Sequence, residues 1–429
     1  MKRNALMFVT VVVAGMAFAD PPEGMKWETE AIQAQIDAAA AKGGGRVTVP
    51  KGIHPCRTLY LKSGVELHLE KDAVILGGTK PEDYDDALPL DQIYTYSNAV
   101  PATATRKVLV FAQDATNIAI TGKGTIDSSG PSFFGPNTRK GVGFWSKPLI
   151  PRPRIVIFLR CRGIRMEDVT FKDNPVWAMW LRFCDDIVMS RIRIVADQRM
   201  INSDGIDFDG CRHVRVGDSY FKTGDDCVVL RAIRDERRRD VPVVTEDVVV
   251  SNCYFNTPCQ GVRIGCPSDD TIRNVLFKDI RLEGSNNGIY FGNHLYCLKD
   301  IDEGFLDAHD ITFENFTGFQ GNSAAQILVD DGIRIRRISD ITFRNFDVSS
   351  GKPLRFKSTA RQPIGKVAFE NVQVKVGKGV PVEAVGIDGL TYKNVILNGE
   401  KLPDGPVAAA PGSPAPLVRK PPITWDCLN

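Results

Sequence analysis

Two short acidic runs hold the residues best suited to catalysis. Asn202-Ser203-Asp204-Gly205 and Gly224-Asp225-Asp226-Cys227 place three carboxylates in two turn-like segments, with Asp204 and Asp225 21 residues apart. Carboxylates that share a site repel, which raises the pKa of at least one of them and prepares an acid beside a base. Such a set can hydrolyse: one carboxyl protonates a leaving oxygen while another activates water. Taken singly, each run is also an ordinary aspartate turn. The chemistry therefore depends on both runs standing on one edge of one surface.

A repeat supplies that surface. An apolar residue, a second apolar residue at +2 and Asp or Asn at +4 recur from Ile118, Ile164, Ile187, Val214, Val248, Val275, Ile311, Ile341, Val367 and Leu390. Gly122 and Arg191 break the +4 column. Successive starts lie 23 to 36 residues apart, except for a first interval of 46, which reads as two units of 23. A period of two predicts a strand with alternate residues inward. Asp or Asn at its end suits a turn. Units this short bury their inner face only by stacking, so the expected fold is all-β, a parallel β-helix. A second strand family, Val176–Leu181, Ile206–Phe208, Val228–Leu230, Val262–Ile264, Ile289–Phe291 and Ile327–Val329, follows in the same coils. The acidic runs precede two of these strands, and a coil of about 21 residues puts them on neighbouring rungs.

Other residues gain neighbours from the same stacking. Cys161, Cys184 and Cys211 fall in one column that continues as Ala and Ile, on rungs about 4.8 Å apart. They form either a ladder of small buried residues or a metal or redox site, and the apolar continuation favours the ladder. Trp177 and Trp180, three apart on one strand, are expected on opposite faces, one in the core and one exposed as a sugar platform. Arg263 is expected to face the same edge as the carboxylates, since a guanidinium inside an apolar coil is disfavoured.

The ends differ from the middle. Residues 1–19 read as a signal peptide: Lys2 and Arg3, an apolar run, then Ala17-Phe18-Ala19. The mature chain is thus expected in the periplasm or outside the cell. Thr29–Ala41 reads as a short amphipathic helix capping the solenoid, with Ile32 and Ile36 inward. The catalytic β-helix spans 20–397, and 398–429 is a Pro-, Ala- and Gly-rich tail. The full chain carries a net charge of +2. Losing Lys2 and Arg3 brings it near zero, which argues against a nucleic-acid partner. No internal run is long enough to span a membrane. The ten cysteines are too sparse for a disulfide framework, although Cys427 could pin the tail. The mature chain is expected to be monomeric.

From about Trp27 to Leu397 the sequence resembles glycoside hydrolase family 28, the polygalacturonase family. The matching segments come in order: WETEAIQAQIDAAAAKGGGRVTVPKG, TLYLKSGVELHLEKDAVILGGTKPEDY, ITGKGTID, NPVWAMWLRFCDDIVM, NSDGIDFDGC and TGDDCVVLR. The resemblance implies a right-handed β-helix and an inverting glycosidase that needs no metal or cofactor. It implies that Asp225 is the general acid and that Asp204 and Asp226 activate water. Inversion implies acid and base roughly 6.5–9.5 Å apart.

Two motifs of the family are altered. Its Gly-His-Gly falls at Cys259-Gln260-Gly261, with Gln260 in the place of the His. Its Arg-Ile-Lys falls at Tyr290-Phe291-Gly292. Because the family's basic pair grips the substrate carboxylate, a neutral, branched or differently charged sugar is expected beside Tyr290. Asn202, Gln260, Arg263, Arg231, Tyr290 and His294 are the candidate substrate-binding residues, for a polysaccharide or oligosaccharide substrate. Two other readings remain on this scaffold. One is a lyase, which would use Ca²⁺ with an Arg or Lys base. The other is a carbohydrate-binding solenoid without catalysis, which would have no need of three repelling carboxylates.

Overall fold

The computed structural model describes residues 24–87, 106–135, 151–234, 240–265, 268, 270–293, 306–330, 335–377 and 379–412. His294, the leader and the end of the tail, with Cys266, Cys297 and Cys427, lie outside them.

The apolar columns of the sequence become stacks of side chains. Ile118, Ile164, Ile187, Val214, Val248, Val275, Ile311, Ile341, Val367 and Leu390 are register partners in one unbroken series of parallel pairings. All ten are buried. The +2 column runs beside it, and in the later coils its rings stack, with Phe313 5.4 Å from Phe343 and Phe343 5.1 Å from Phe369. Two sheets wind together into a right-handed parallel β-helix, one with 20 strands and one with 11 among the described residues.

Every +4 position has left-handed backbone, including Gly122 and Arg191. The chain needs that conformation to leave one strand for the next, and Asp and Asn adopt it at low cost. In the later coils the side chains also form a ladder: Asn315 donates to Asp279 (2.6 Å), Asn345 to Asn315 (2.9 Å) and Asn371 to Asn345 (3.1 Å).

The interval of 46 residues is a single coil. Ile118 pairs directly with Ile164, and the extra length is an excursion between Thr125–Asp127 and Arg154–Leu159. Counting residues cannot separate two short coils from one coil with a long loop.

Helix Thr29–Ala41 buries Ile32 and Ile36 at the N-terminal end. At the other end, Glu400–Lys401 and Gly405–Val407 turn back antiparallel along Ile387–Leu397. This part of the tail therefore covers the last coil. Cys161, Cys184 and Cys211 lie inside the solenoid, each thiol directed at a backbone carbonyl such as Leu181 O, 3.1 Å from Cys211. No disulfide forms among the described residues.

Candidate active site

The 11-stranded sheet holds the candidate residues. Met179–Arg182, Ile206–Asp209, Val228–Arg231, Gln260–Ile264 and Asn287–Asn293 are successive rungs. Ile206, Phe208, Val228, Leu230, Val262, Ile264, Ile289 and Phe291 turn inward, so the alternate column of Trp180, Asp207, Val229, Arg263 and Tyr290 turns outward. The two acidic runs meet just before these strands. The Gly205 N–H donates to Asp226 O (2.8 Å), and the Gly224 N–H donates to Ser203 O (3.2 Å) and to its Oγ (3.0 Å). Both glycines are required by close approach. A Cβ on Gly205 would stand 2.3 Å from Cys227 O, and one on Gly224 would stand 2.2 Å from Met200 O.

The three carboxylates differ in environment. Asp225 is partly exposed. One oxygen accepts from the Asn202 N–H (3.1 Å) and the other from the Asp226 N–H (3.0 Å). Thr223 and Thr257 hydroxyls both donate to its carbonyl. Burial, reinforced by Asp226 and opposed by Arg263, pushes Asp225 up to about 6. Asp204 is buried, and among the described residues its Oδ1 has no hydrogen-bond partner. Burial first, then Asp225, holds its carboxyl well above the usual range. Asp226 is buried and paired with Arg263, and its Oδ1 accepts from the Gln260 N–H (3.2 Å).

Asp225 and Asp226 bring oxygens within 4.8 Å of each other. That is closer than the roughly 6.5–9.5 Å expected for inversion. Cys259 shares this cluster, so Asp225, Asp226 and Cys259 are the described residues that could hold a cation here. The guanidinium of Arg263 already places a positive charge against Asp226.

The candidate binding residues divide. Gln260, Arg263 and Tyr290 gather beside Asp226, with the Arg263 guanidinium 5.2 Å from the Tyr290 ring centre. Tyr290 fits there because Gly292 has no side chain: a Cβ on Gly292 would stand 2.2 Å from Tyr290 Cε1. Asn202 contributes its backbone to Asp225, while its Oδ1 accepts from Arg152 (3.1 Å). Arg231, expected to meet substrate, is instead buried. It pairs with Asp207 at 2.7 Å and lies over Trp177. Trp177 and Trp180 are on the same side, 6.1 Å apart, with Arg154 against both rings. Strict alternation fails for them because the strand begins only at Met179.

Sequence reasoning missed Asp207, which burial pushes up to about 6 against the pull of Arg231. Its place between inward Ile206 and Phe208 was the available signal. Arg152, which braces the first acidic run through Pro175 O and Ile201 O, left no such signal.

The signature of glycosyl hydrolases family 28 matches residues 94–238. A probable polygalacturonase of Vitis vinifera is 27% identical over 284 residues, covering 63% of this chain and 55% of its own length. An exo-poly-alpha-D-galacturonosidase of Dickeya chrysanthemi is 26% identical, covering 86% of this chain and 73% of its own. The chain spans about half the length of the first curated relatives it matches. Its fold is that of a hyperthermoactive exopolygalacturonase from Thermotoga maritima, with a TM-score of 0.72 at 21% identity, covering 89% of this chain and 90% of that one.

Proposed function

This chain belongs to glycosyl hydrolases family 28, and from that premise we propose that it is a secreted, monomeric glycoside hydrolase acting on pectin-like or other acidic polysaccharides. The observation that carries the proposal is the convergence of Asp204, Asp225 and Asp226 from two rungs onto one edge, with Asp225 the member open to solvent. A carboxyl raised to about 6 is still partly protonated in mildly acidic solution, as a general acid requires. Asp225 protonates the glycosidic oxygen as the bond breaks. Asp204 and Asp226 together orient the attacking water, and Asp226, the carboxylate paired with Arg263, takes its proton. The water lies beside this compact pair rather than in a wide gap between separated carboxyls. The mechanism inverts the anomeric centre.

No helix among the described residues is long and apolar enough to cross a membrane. Secretion rests on the leader-like residues 1–19 and is checked by finding Asp20 as the N-terminus of the mature protein. The enzymatic test is a screen of purified protein against pectic oligomers and other plant or algal polysaccharides, with Asp225→Asn as control. New reducing ends that form without unsaturated products, and that vanish in the control, support hydrolysis. Unsaturated products that vanish with a chelator would instead identify a lyase.

A further inference from the structure

The three departures from the family pattern form one structural unit. Gly292 gives Tyr290 its space, Tyr290 lies against Arg263, and Arg263 pairs with Asp226. A cation is therefore present at the altered subsite, on the rung before the one where the family carries its basic residues. Arg263 grips Asp226 through Nε and, more loosely, through Nη2 at 3.5 Å. With the Gln260 amide turned so that its oxygen faces the guanidinium, Nη2 donates to it at 2.7 Å. Among the described residues, Nη1 takes no hydrogen-bond partner. Arginine presents its donors in a rigid fork suited to a carboxylate. A second carboxylate brought to Nη1 would compete with Asp226 for one charge.

We propose that Arg263 is a shared cation, paired with Asp226 in the arrangement seen here and transferred to the carboxylate of an acidic substrate sugar when that sugar docks beside Tyr290. This rests on the hydrolase reading and adds to it. The transfer frees the oxygens of Asp226 for the attacking water, so the substrate's charge acts on turnover as well as on binding. A neutral sugar leaves the pair closed. The Arg263–Asp226 contact thereby makes the site selective for acidic sugars without the basic pair of the family.

The test compares an oligogalacturonate with its fully methyl-esterified form, in which each carboxyl loses its charge and gains a methyl group. Binding is measured calorimetrically to the Asp225→Asn protein and to Asp225→Asn combined with Arg263→Gln or Arg263→Lys. Turnover is measured on the corresponding proteins with Asp225 intact. The acid should bind about 10- to 100-fold more tightly than the ester, the range of one charge-assisted contact. Arg263→Gln should erase that preference, and Arg263→Lys should restore part of it. The kcat advantage of the acid over the ester should also vanish in Arg263→Gln. Thermal melts identify any variant that fails to fold, and Arg263→Lys keeps a cation against Asp226.

Equal binding of acid and ester, or binding of neither, overturns the proposal. So does a preference that survives Arg263→Gln. Equal losses on both substrates make Arg263 a structural brace. Failure of the hydrolase reading shows separately, as binding without cleavage by the Asp225 proteins.

Discussion

Arg263 pairs with Asp226 across one rung, although 37 residues separate them in the chain. The contact joins a carboxylate of the candidate catalytic set to the arginine beside Tyr290. It also sets the charge felt by Asp225, whose pKa Arg263 lowers against the upward push of burial and Asp226.

Replacing Asp225 by Asn should abolish hydrolysis and keep the fold. The amide retains the size of the carboxyl, and its single oxygen can still accept from one of the two N–H groups, Asn202 or Asp226, that the carboxylate binds. It cannot protonate a leaving group, which costs roughly 10²–10⁴-fold. Turnover within threefold of the parent, with an unchanged circular dichroism spectrum, would remove Asp225 from the acid role.

The same residue sets a pH dependence. With Asp225 at about 6 in the folded protein, kcat/KM should fall as pH rises through that value, because the acid loses its proton. The stability effect has the same origin. Between the ordinary carboxyl value of 3.8 and about 6, the folded state holds a proton that the unfolded chain has released. The stabilising contribution is therefore full below 3.8 and is lost as pH rises through 6. Asp225→Asn, which cannot ionise, should melt higher than the parent at pH 7, with the difference closing near pH 4. A lower melting temperature at pH 7 would contradict the assignment.

Cys259 tunes this limb. Its thiol stands within 4.8 Å of the Asp225 carboxylate and lowers the pKa of Asp225, so Cys259→Ala should move the alkaline limb of the pH–rate profile to higher pH. Burial pushes the thiol itself well up, which leaves little thiolate at neutral pH. Iodoacetamide at pH 7 should accordingly leave activity intact. Rapid inactivation, or a limb that moves to lower pH, would count against this placement.

Gly292 and Tyr290 should be coupled. Gly292→Ala puts a methyl group against the Tyr290 ring and should destabilise by about 1–3 kcal/mol, as overpacking does. In a Tyr290→Ala background the same change should cost much less, which a double-mutant cycle by thermal or urea unfolding reads directly. Additive losses would show that the ring does not depend on the missing side chain.

Much of this fold is legible in the chain because each coil repeats the same local physics. Ile118 to Leu390 and their +2 partners alternate as strands do, and the +4 residue marks the left-handed exit, so strand, turn and stacking all follow from spacing. Arg191 shows the limit, since it adopts that exit without the expected residue type. The excursion between Asp127 and Arg154 was hidden because an interval counts residues and not coils. Trp177 was misplaced because alternation was carried past the start of its strand. Asp204, Asp225 and Asp226 were readable from one coil's spacing. Arg263 was expected at the cleft, but its pairing with Asp226 depends on the register between rungs and on the space above Gly292. Arg231 was misread for a related reason: its partner Asp207 faces outward beside it, and that contact buries a charge expected to meet substrate.

The central claim is inverting hydrolysis directed by Asp225, and the anomeric configuration of the first-formed product tests it most directly. Proton NMR of an oligogalacturonate during cleavage should show the newly released reducing end first in the configuration opposite to that of the bond cut, with mutarotation following. First appearance in the same configuration, or as an unsaturated sugar, would contradict the account.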